Sequence, residues 1–147
     1  MQSEQVIDRL ISISEGDLRR SINMLQTCSS FTRETGLSEA DIDSVSGLVP
    51  PRAIQMITTV VGTRGATYAD IQRVAEDLIF EGYDCQQLLH QLLDFYVQQA
   101  PAAVRDLQKA QISEIIAATD FQLLQGGNEE LNMLNCLSNI AQILSSK

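Results

Sequence analysis

Hydrophobic residues recur at intervals of three and four along most of this chain, which is the spacing of one face of an α-helix. The first such stretch has four apolar residues, Val6, Ile7, Leu10 and Ile11. Glu15-Gly16-Asp17 interrupts this pattern, and Asp17 is a suitable N-cap residue for a second helix. The predicted apolar stripe of that helix is Leu18, Ile22, Leu25 and Cys28. We therefore predict two amphipathic helices joined by a turn.

A polar segment at residues 29–36 (SSFTRETG) follows the second helix, and we predict that it is a linker and a domain boundary. Beyond it, residues that start helices precede every further apolar stripe: Ser38 with Asp41, Pro51, Thr67, Asp84, Pro101 and Asn128. The pattern predicts an all-α chain, with two helices in residues 1–34 and a bundle of five or six helices in residues 35–147.

One predicted helix of the bundle has an unusually wide apolar face. Its large apolar residues are Leu88, Leu89, Leu92, Leu93, Phe95 and Tyr96. Two interpretations remain open. Either the helix is central and packs on several sides, or part of the face contacts another subunit. The helix after Pro101 is predicted to bury Leu107, Ile112 and Ile116, and the last helix to bury Leu131, Leu137 and Ile140.

The composition narrows the classes of function. The 147 residues include 19 Asp and Glu against 10 Lys and Arg, a formal net charge of −9. This charge argues against a free-standing binder of nucleic acid or of anionic lipid, because such binding depends on a positive surface. Cys28, Cys85 and Cys136 are widely separated and lack metal-site spacing, so we predict small buried residues in a reducing compartment. We also expect no transmembrane segment, because no apolar run reaches about 18 residues.

The usual catalytic motifs are absent from the sequence: it has no GxxxxGK[ST], GxGxxG, HExxH or GxSxG. The single histidine, His90, lies in QQLLHQLLD without a visible partner group, and we interpret it as an ordinary helix residue. These residues alone are therefore not expected to form an enzyme.

Arg19 and Arg20 are the exception, because the first turn of a helix disfavours cations. The side chains either extend to water or pair with Asp17 or Glu15. Alternatively, an arginine here binds an anion such as a phosphate, together with free N–H groups of the helix. The spacing of the residues does not decide between these interpretations.

The segment SEGDLRRSINMLQ (residues 14–26) resembles the sensor 2 helix of AAA+ clamp-loader subunits, specifically the small subunits of replication factor C. Three further segments extend the resemblance in the same order along nearly the whole chain. They are DIDSVSGLVPPRAI, AEDLIFEGYDCQQLLHQL and GGNEELNMLNCLSNIAQIL.

The resemblance implies that residues 1–34 are the end of an AAA+ lid and that residues 35–147 are the collar that joins subunits into a hetero-pentamer. It implies that Arg19 contacts the γ-phosphate of ATP, and it assigns no such role to Arg20. The nucleotide-binding domain that would hold ATP and Mg is not in this sequence, so no cofactor is expected for these residues alone and Met1 is expected to begin a partial chain.

For the assembled complex, the resemblance implies a sliding clamp and primer-template DNA as partners, and a nuclear location. The wide apolar face of one predicted helix leaves a different function open. A stand-alone helical adaptor could use the wide apolar face to bind a partner helix.

Overall fold

The computed structural model describes residues 2–14, 16–31, 37–99 and 104–146. Within these ranges the chain has eight α-helices, one π-helical segment and no β-strand, so the predicted all-α fold class is confirmed. The chain divides into two compact units, Met1–Leu48 and Val49–Lys147. In the described ranges, every helix is too short or too polar to span a lipid bilayer.

The first unit consists of α1 (Gln2–Ser14), α2 (Leu18–Phe31) and α3 (Glu39–Ser46), which pack on one another. Its core is Val6, Leu10, Ile13, Met24, Cys28 and Ile42. The predicted capping box of α3 is confirmed, because the Asp41 N–H donates to the Ser38 hydroxyl and the Ser38 N–H donates to the Asp41 carboxylate. Gly47 ends the helix in the left-handed conformation, also as predicted.

The predicted apolar stripes of α1 and α2 are partly wrong. Leu18, Ile22 and Leu25 are 72%, 47% and 45% exposed. The helix α2 buries Cys28, as predicted, together with Met24, which was not predicted. These two are also four residues apart, so the sequence of α2 contains two candidate stripes, and the positions of α1 and α3 select the second one. In α1, Ile7 and Ile11 are likewise exposed.

The boundary between the compact units lies 14 residues beyond the predicted domain boundary after residue 34, because α3 packs with α1 and α2. The predicted linker begins inside α2, which continues to Phe31, and residues 32–36 lie outside the described residues. Whether the lid and the collar of the resemblance meet at residue 34 stays a prediction.

The second unit consists of α4 (Pro51–Gly62), α5 (Tyr68–Phe80), α6 (Cys85–Asp94), α7 (Asp106–Leu124) and α8 (Glu129–Ser145). A π-helical segment, Phe95–Gln99, continues α6, and nothing in the sequence pattern predicted it. Pro51 occupies the first turn of α4, and the predicted N-caps Thr67, Asp84 and Asn128 each accept a backbone hydrogen bond. Pro101, predicted to open the next helix, lies outside the described residues, and α7 begins at Asp106.

The core of the second unit decides between the two interpretations of the wide apolar face, internal packing and contact with another subunit. Leu88, Leu89 and Leu92 are at most 1% exposed and belong to one cluster with residues of all the other helices of the unit. The face is therefore mainly internal packing. The prediction that Leu107 and Leu131 are buried is wrong, because both are exposed. In α8, Cys136 is buried as predicted, and Met133 is buried without having been predicted.

Two glutamine side chains form hydrogen bonds with backbone groups of other segments in this unit. The Val49 N–H donates to Gln91 Oε1 at 2.8 Å, and Gln91 Nε2 donates to the Val49 carbonyl at 3.0 Å. Gln108 Nε2 donates to the carbonyl of Ile143 at 2.9 Å, near the C-terminus of α8. These contacts fix the first residue of the unit and its last helix to α6 and α7.

Candidate functional site

The turn between α1 and α2 places the predicted site residue Arg19. Gly16 has a φ of 88°, a left-handed conformation that glycine adopts without the strain of a Cβ atom. The Asp17 N–H donates to the Ser14 carbonyl at 2.8 Å. The short connection fixes where α2 starts relative to the end of α1.

Two serine hydroxyls reinforce this turn. Ser14 is buried and donates to the Leu10 carbonyl at 2.6 Å, and the Ser21 hydroxyl donates to Ser14 Oγ, also at 2.6 Å. The first turn of α2 is thereby bonded to the last turn of α1. Sequence reasoning missed both serines, and the only signal was that hydroxyl residues stand on either side of the interruption at residues 15–17.

Asp17 is the N-cap of α2, as predicted. Its Oδ1 accepts hydrogen bonds from the backbone N–H groups of Arg19 at 2.9 Å and of Arg20 at 3.1 Å. Asp17 therefore occupies these two N–H groups, and binding of an anion by the arginines stays a prediction.

Arg19 and Arg20 are both exposed. No carboxylate of the described residues lies within 4.0 Å of either guanidinium group, and Glu15 is outside those residues. The proposed pairing with Asp17 is therefore not seen. Arg19 lies one helical turn before the exposed Ile22. Arg20 lies one helical turn before the buried Met24. The two arginines thus extend from different sides of the helix.

The remaining predicted chemical groups do not form a reactive site. Burial raises the pKa of the Cys136 thiol to about 11, and burial together with nearby Glu129 raises the pKa of Cys85 to about 11. Burial and then Asp41 also raise the pKa of Cys28. All three thiols are buried and protonated at neutral pH, which makes them poor nucleophiles.

His90 is an exposed residue of α6. In the described part of the chain, no three His, Cys, Asp or Glu residues are arranged to hold a metal ion.

The second unit has two surface cavities that sequence reasoning missed. One of about 530 Å³ lies where α4 and α8 end and α7 begins, and its charged lining residues are Arg64 and Arg105. The other, of about 700 Å³, lies where α5 and α7 end and α6 and α8 begin, and its charged lining residues are Asp84 and Glu129. Each cavity arises because the ends of several helices converge, so no single segment of sequence indicates it.

Comparisons with known proteins cover both units. Residues 49–139 match the family model for the replication factor C C-terminal domain. Nearly the whole chain is similar to proteins named replication factor C subunit 4, from Arabidopsis thaliana at 32% identity over 96% of the chain and from Homo sapiens at 31% over 97%. Replication factor C subunit 2 of Saccharomyces cerevisiae is 28% identical over 94% of the chain. The chain spans only 40%, 38% and 39% of the lengths of these three relatives.

Proposed function

Because this chain belongs to the replication factor C family, we propose that it is the C-terminal region of a clamp-loader small subunit and that its second unit is an oligomerisation module. The observation that carries the proposal is the agreement between the family match at residues 49–139 and the compact unit that begins at Val49. That unit has its own core of 20 buried side chains.

The proposed partners follow from the resemblance and the charge. The other clamp-loader subunits would bind this chain in a hetero-pentamer in the nucleus, and the assembled complex would use ATP to load a sliding clamp onto primer-template DNA. A net charge of −9 disfavours DNA phosphates, so other parts of the complex would make most of the DNA contacts.

Arg19 is the proposed link to ATP. In the complete subunit, it would contact the γ-phosphate of an ATP that the nucleotide-binding domain holds together with Mg. The exposed guanidinium fits this role, because arginine binds phosphate oxygens through two parallel N–H groups. Within the described residues, the lack of a neighbouring carboxylate also leaves the positive charge available for a phosphate.

The experiment that tests assembly is co-purification. We expect the chain, mixed with the other small subunits, to enter a complex whose mass by native mass spectrometry includes one copy of it. A chain that stays separate under these conditions would contradict the proposed function. A matched control is the Leu89→Ala variant, whose second unit is destabilised at a fully buried position and should enter the complex less well.

The adaptor alternative is not supported by the packing. It depended on a wide apolar face of α6 being available to a partner helix, and Leu88, Leu89 and Leu92 of that face are buried inside the unit.

A further inference from the structure

The direction of the Arg19 side chain depends on how the first turn of α2 is held against α1. Arg19 is the second residue of α2, and its exposed guanidinium is the group proposed to contact ATP. Leu18 and Ile22 are exposed, and Met24 is the first buried side chain of the helix. The apolar core therefore holds α2 only from its second turn onward, and the first turn is held by other contacts.

The Ser21 hydroxyl supplies such a contact. It donates to Ser14 Oγ of α1 at 2.6 Å, and the Ser14 hydroxyl donates in turn to the carbonyl of the core residue Leu10, also at 2.6 Å. Ser14 is 2% exposed, so water has little access to compete for these hydrogen bonds. Ser21 precedes Met24 and Cys28 at helical spacing, so it extends their buried stripe toward the start of α2. A pair of hydroxyls thus joins α2 to α1 where the apolar contacts stop.

The turn at Gly16 makes this attachment important. A glycine has more backbone freedom than any other residue, so the turn by itself constrains α2 weakly. The Asp17 carboxylate accepts from the N–H groups of Arg19 and Arg20, which belong to the same helix, so this cap moves with α2. The hydrogen bond between Ser21 and Ser14 instead joins two helices, and it opposes rotation of α2 about its own axis.

Ser21 and Arg19 lie on opposite sides of α2. Successive residues of an α-helix are rotated by about 100°, so residues two positions apart are rotated by about 200°. Ser21 faces α1, and Arg19 is exposed. A rotation of the first turn displaces the guanidinium, which stands at the end of a long side chain, further than it displaces the backbone. A hydrogen bond to a phosphate oxygen tolerates a displacement of only about 0.5 Å.

We propose that Ser21 is a positioning residue for Arg19. Its hydrogen bond to Ser14 sets the rotation of the first turn of α2, so that the Arg19 guanidinium is directed toward the γ-phosphate before ATP binds. Such preorganisation reduces the conformational freedom that is lost when the phosphate contact forms. The inference rests on the proposed function of Arg19 and deepens it by naming what holds that residue in place.

The test measures ATP-dependent clamp loading by complete subunits assembled with their partners. Ser21→Ala removes the hydroxyl and keeps a good helix-forming residue, so α2 should remain intact. Loading at limiting ATP should slow about three- to ten-fold, the factor to which one hydrogen bond corresponds. Inhibition by ADP, which lacks the γ-phosphate, should be unchanged. Ser14→Ala breaks the same bond from α1 and should have a similar effect, whereas Ser21→Thr retains a hydroxyl and should load nearly as the wild type does.

A double-mutant cycle with Arg19→Ala separates positioning from general stability. If Ser21 acts through Arg19, Ser21→Ala should add nothing in a subunit that already lacks the guanidinium. A merely structural role would slow loading by the same factor in both backgrounds. Thr27→Ala is the matched control, because the Thr27 hydroxyl donates to the Asn23 carbonyl at 2.9 Å within α2, and it should load as the wild type does. Native mass spectrometry should show every variant in the complex.

Three results would overturn the inference. They are wild-type loading by Ser21→Ala, an equal reduction by Ser21→Ala with and without Arg19, and loss of both the Ser21→Ala and the Ser14→Ala subunits from the complex. If Arg19→Ala still slows loading in these cases, the proposed contact between Arg19 and ATP stands without the positioning role. If Arg19→Ala loads as the wild type does, the proposed contact is wrong and the positioning role is wrong with it.

Discussion

The two units of this chain differ in how completely they bury their apolar residues. The first unit buries six in its core and exposes five large ones among its described residues: Ile7, Ile11, Leu18, Ile22 and Leu25. The second buries 20 and exposes seven. Exposed apolar surface in this proportion is typical of a region that contacts another domain or protein. The second unit has a large core of its own, whereas the first exposes nearly as many large apolar residues as it buries.

The largest expected effect tests the closed core of the second unit. Leu89 has no exposed surface, so Leu89→Ala should lower the free energy of unfolding by about 2–5 kcal/mol, through lost burial and a cavity. Leu131→Ala is the control, because Leu131 is 66% exposed in the same unit and its loss should cost less than about 1 kcal/mol. Chemical denaturation followed by circular dichroism measures both. Equal losses would contradict the assignment of Leu89 to the core.

The next prediction tests which side of α2 is buried in the first unit. Met24 is buried and its neighbour Leu25 is 45% exposed. We expect Met24→Ala to cost about 2–3 kcal/mol, near the lower limit for core substitutions because this core is small, and Leu25→Ala to cost less than about 1 kcal/mol. Thermal unfolding of the two variants gives the comparison. If Leu25→Ala were the more damaging change, the stripe predicted from periodicity would be correct and the structure of α2 would be wrong.

These two units also differ in how well sequence predicts them. The N-caps and the capping boxes are determined by residues three positions apart, so Asp17, Ser38, Thr67, Asp84 and Asn128 were all predicted correctly. Which stripe of α2 is buried depends on α1 and α3. The predicted stripe (Leu18, Ile22, Leu25 and Cys28) has a helical spacing as good as that of Met24 with Cys28. Local periodicity cannot decide between two such stripes.

The candidate site was predictable only in part. The residues alone singled out Arg19 and Arg20 but left two interpretations open: exposure or pairing with a carboxylate, and binding of an anion. Only the resemblance assigned the proposed role to Arg19. The hydrogen bond between Ser14 and Ser21 depends on the left-handed conformation of Gly16, which brings residues seven positions apart together. The two charged cavities required knowledge of which helix ends converge. Such features depend on tertiary structure, and a single sequence contains no direct signal for them.

A smaller effect is expected from replacing Arg19, the residue of the first unit that is proposed to contact ATP. In a complete subunit assembled with its partners, Arg19→Ala should slow ATP-dependent clamp loading about ten-fold or more, because a charge-assisted contact to phosphate contributes about 1.5–3 kcal/mol. Arg20→Ala is the matched control and should have less effect, since Arg20 extends from a different side of α2. Native mass spectrometry should show both variants in the complex. Unchanged loading by Arg19→Ala would contradict the sensor role.

The smallest expected effect concerns a feature that the two units share. Ser38 with Asp41 in the first unit and Thr67 with Asp70 in the second form the same capping box, and hydrogen bonds from the hydroxyl and backbone N–H lower the pKa of both carboxyls below their usual 3.8. A lowered pKa means that the folded state favours the ionised form. Each box therefore stabilises its helix fully above pH 3.8 and loses this contribution as the pH falls through the folded-state pKa.

Asp41→Asn and Asp70→Asn should each lower the Tm at pH 7 and flatten its decline between pH 4 and about 2. Ser38→Ala, which removes the hydroxyl donor, should reproduce the flattening in the first unit. Curves of Tm against pH that stay parallel to the wild type would show that these boxes do not contribute to acid unfolding. A flattening in only one unit would mean that the same local motif acts differently in the small core and in the large one.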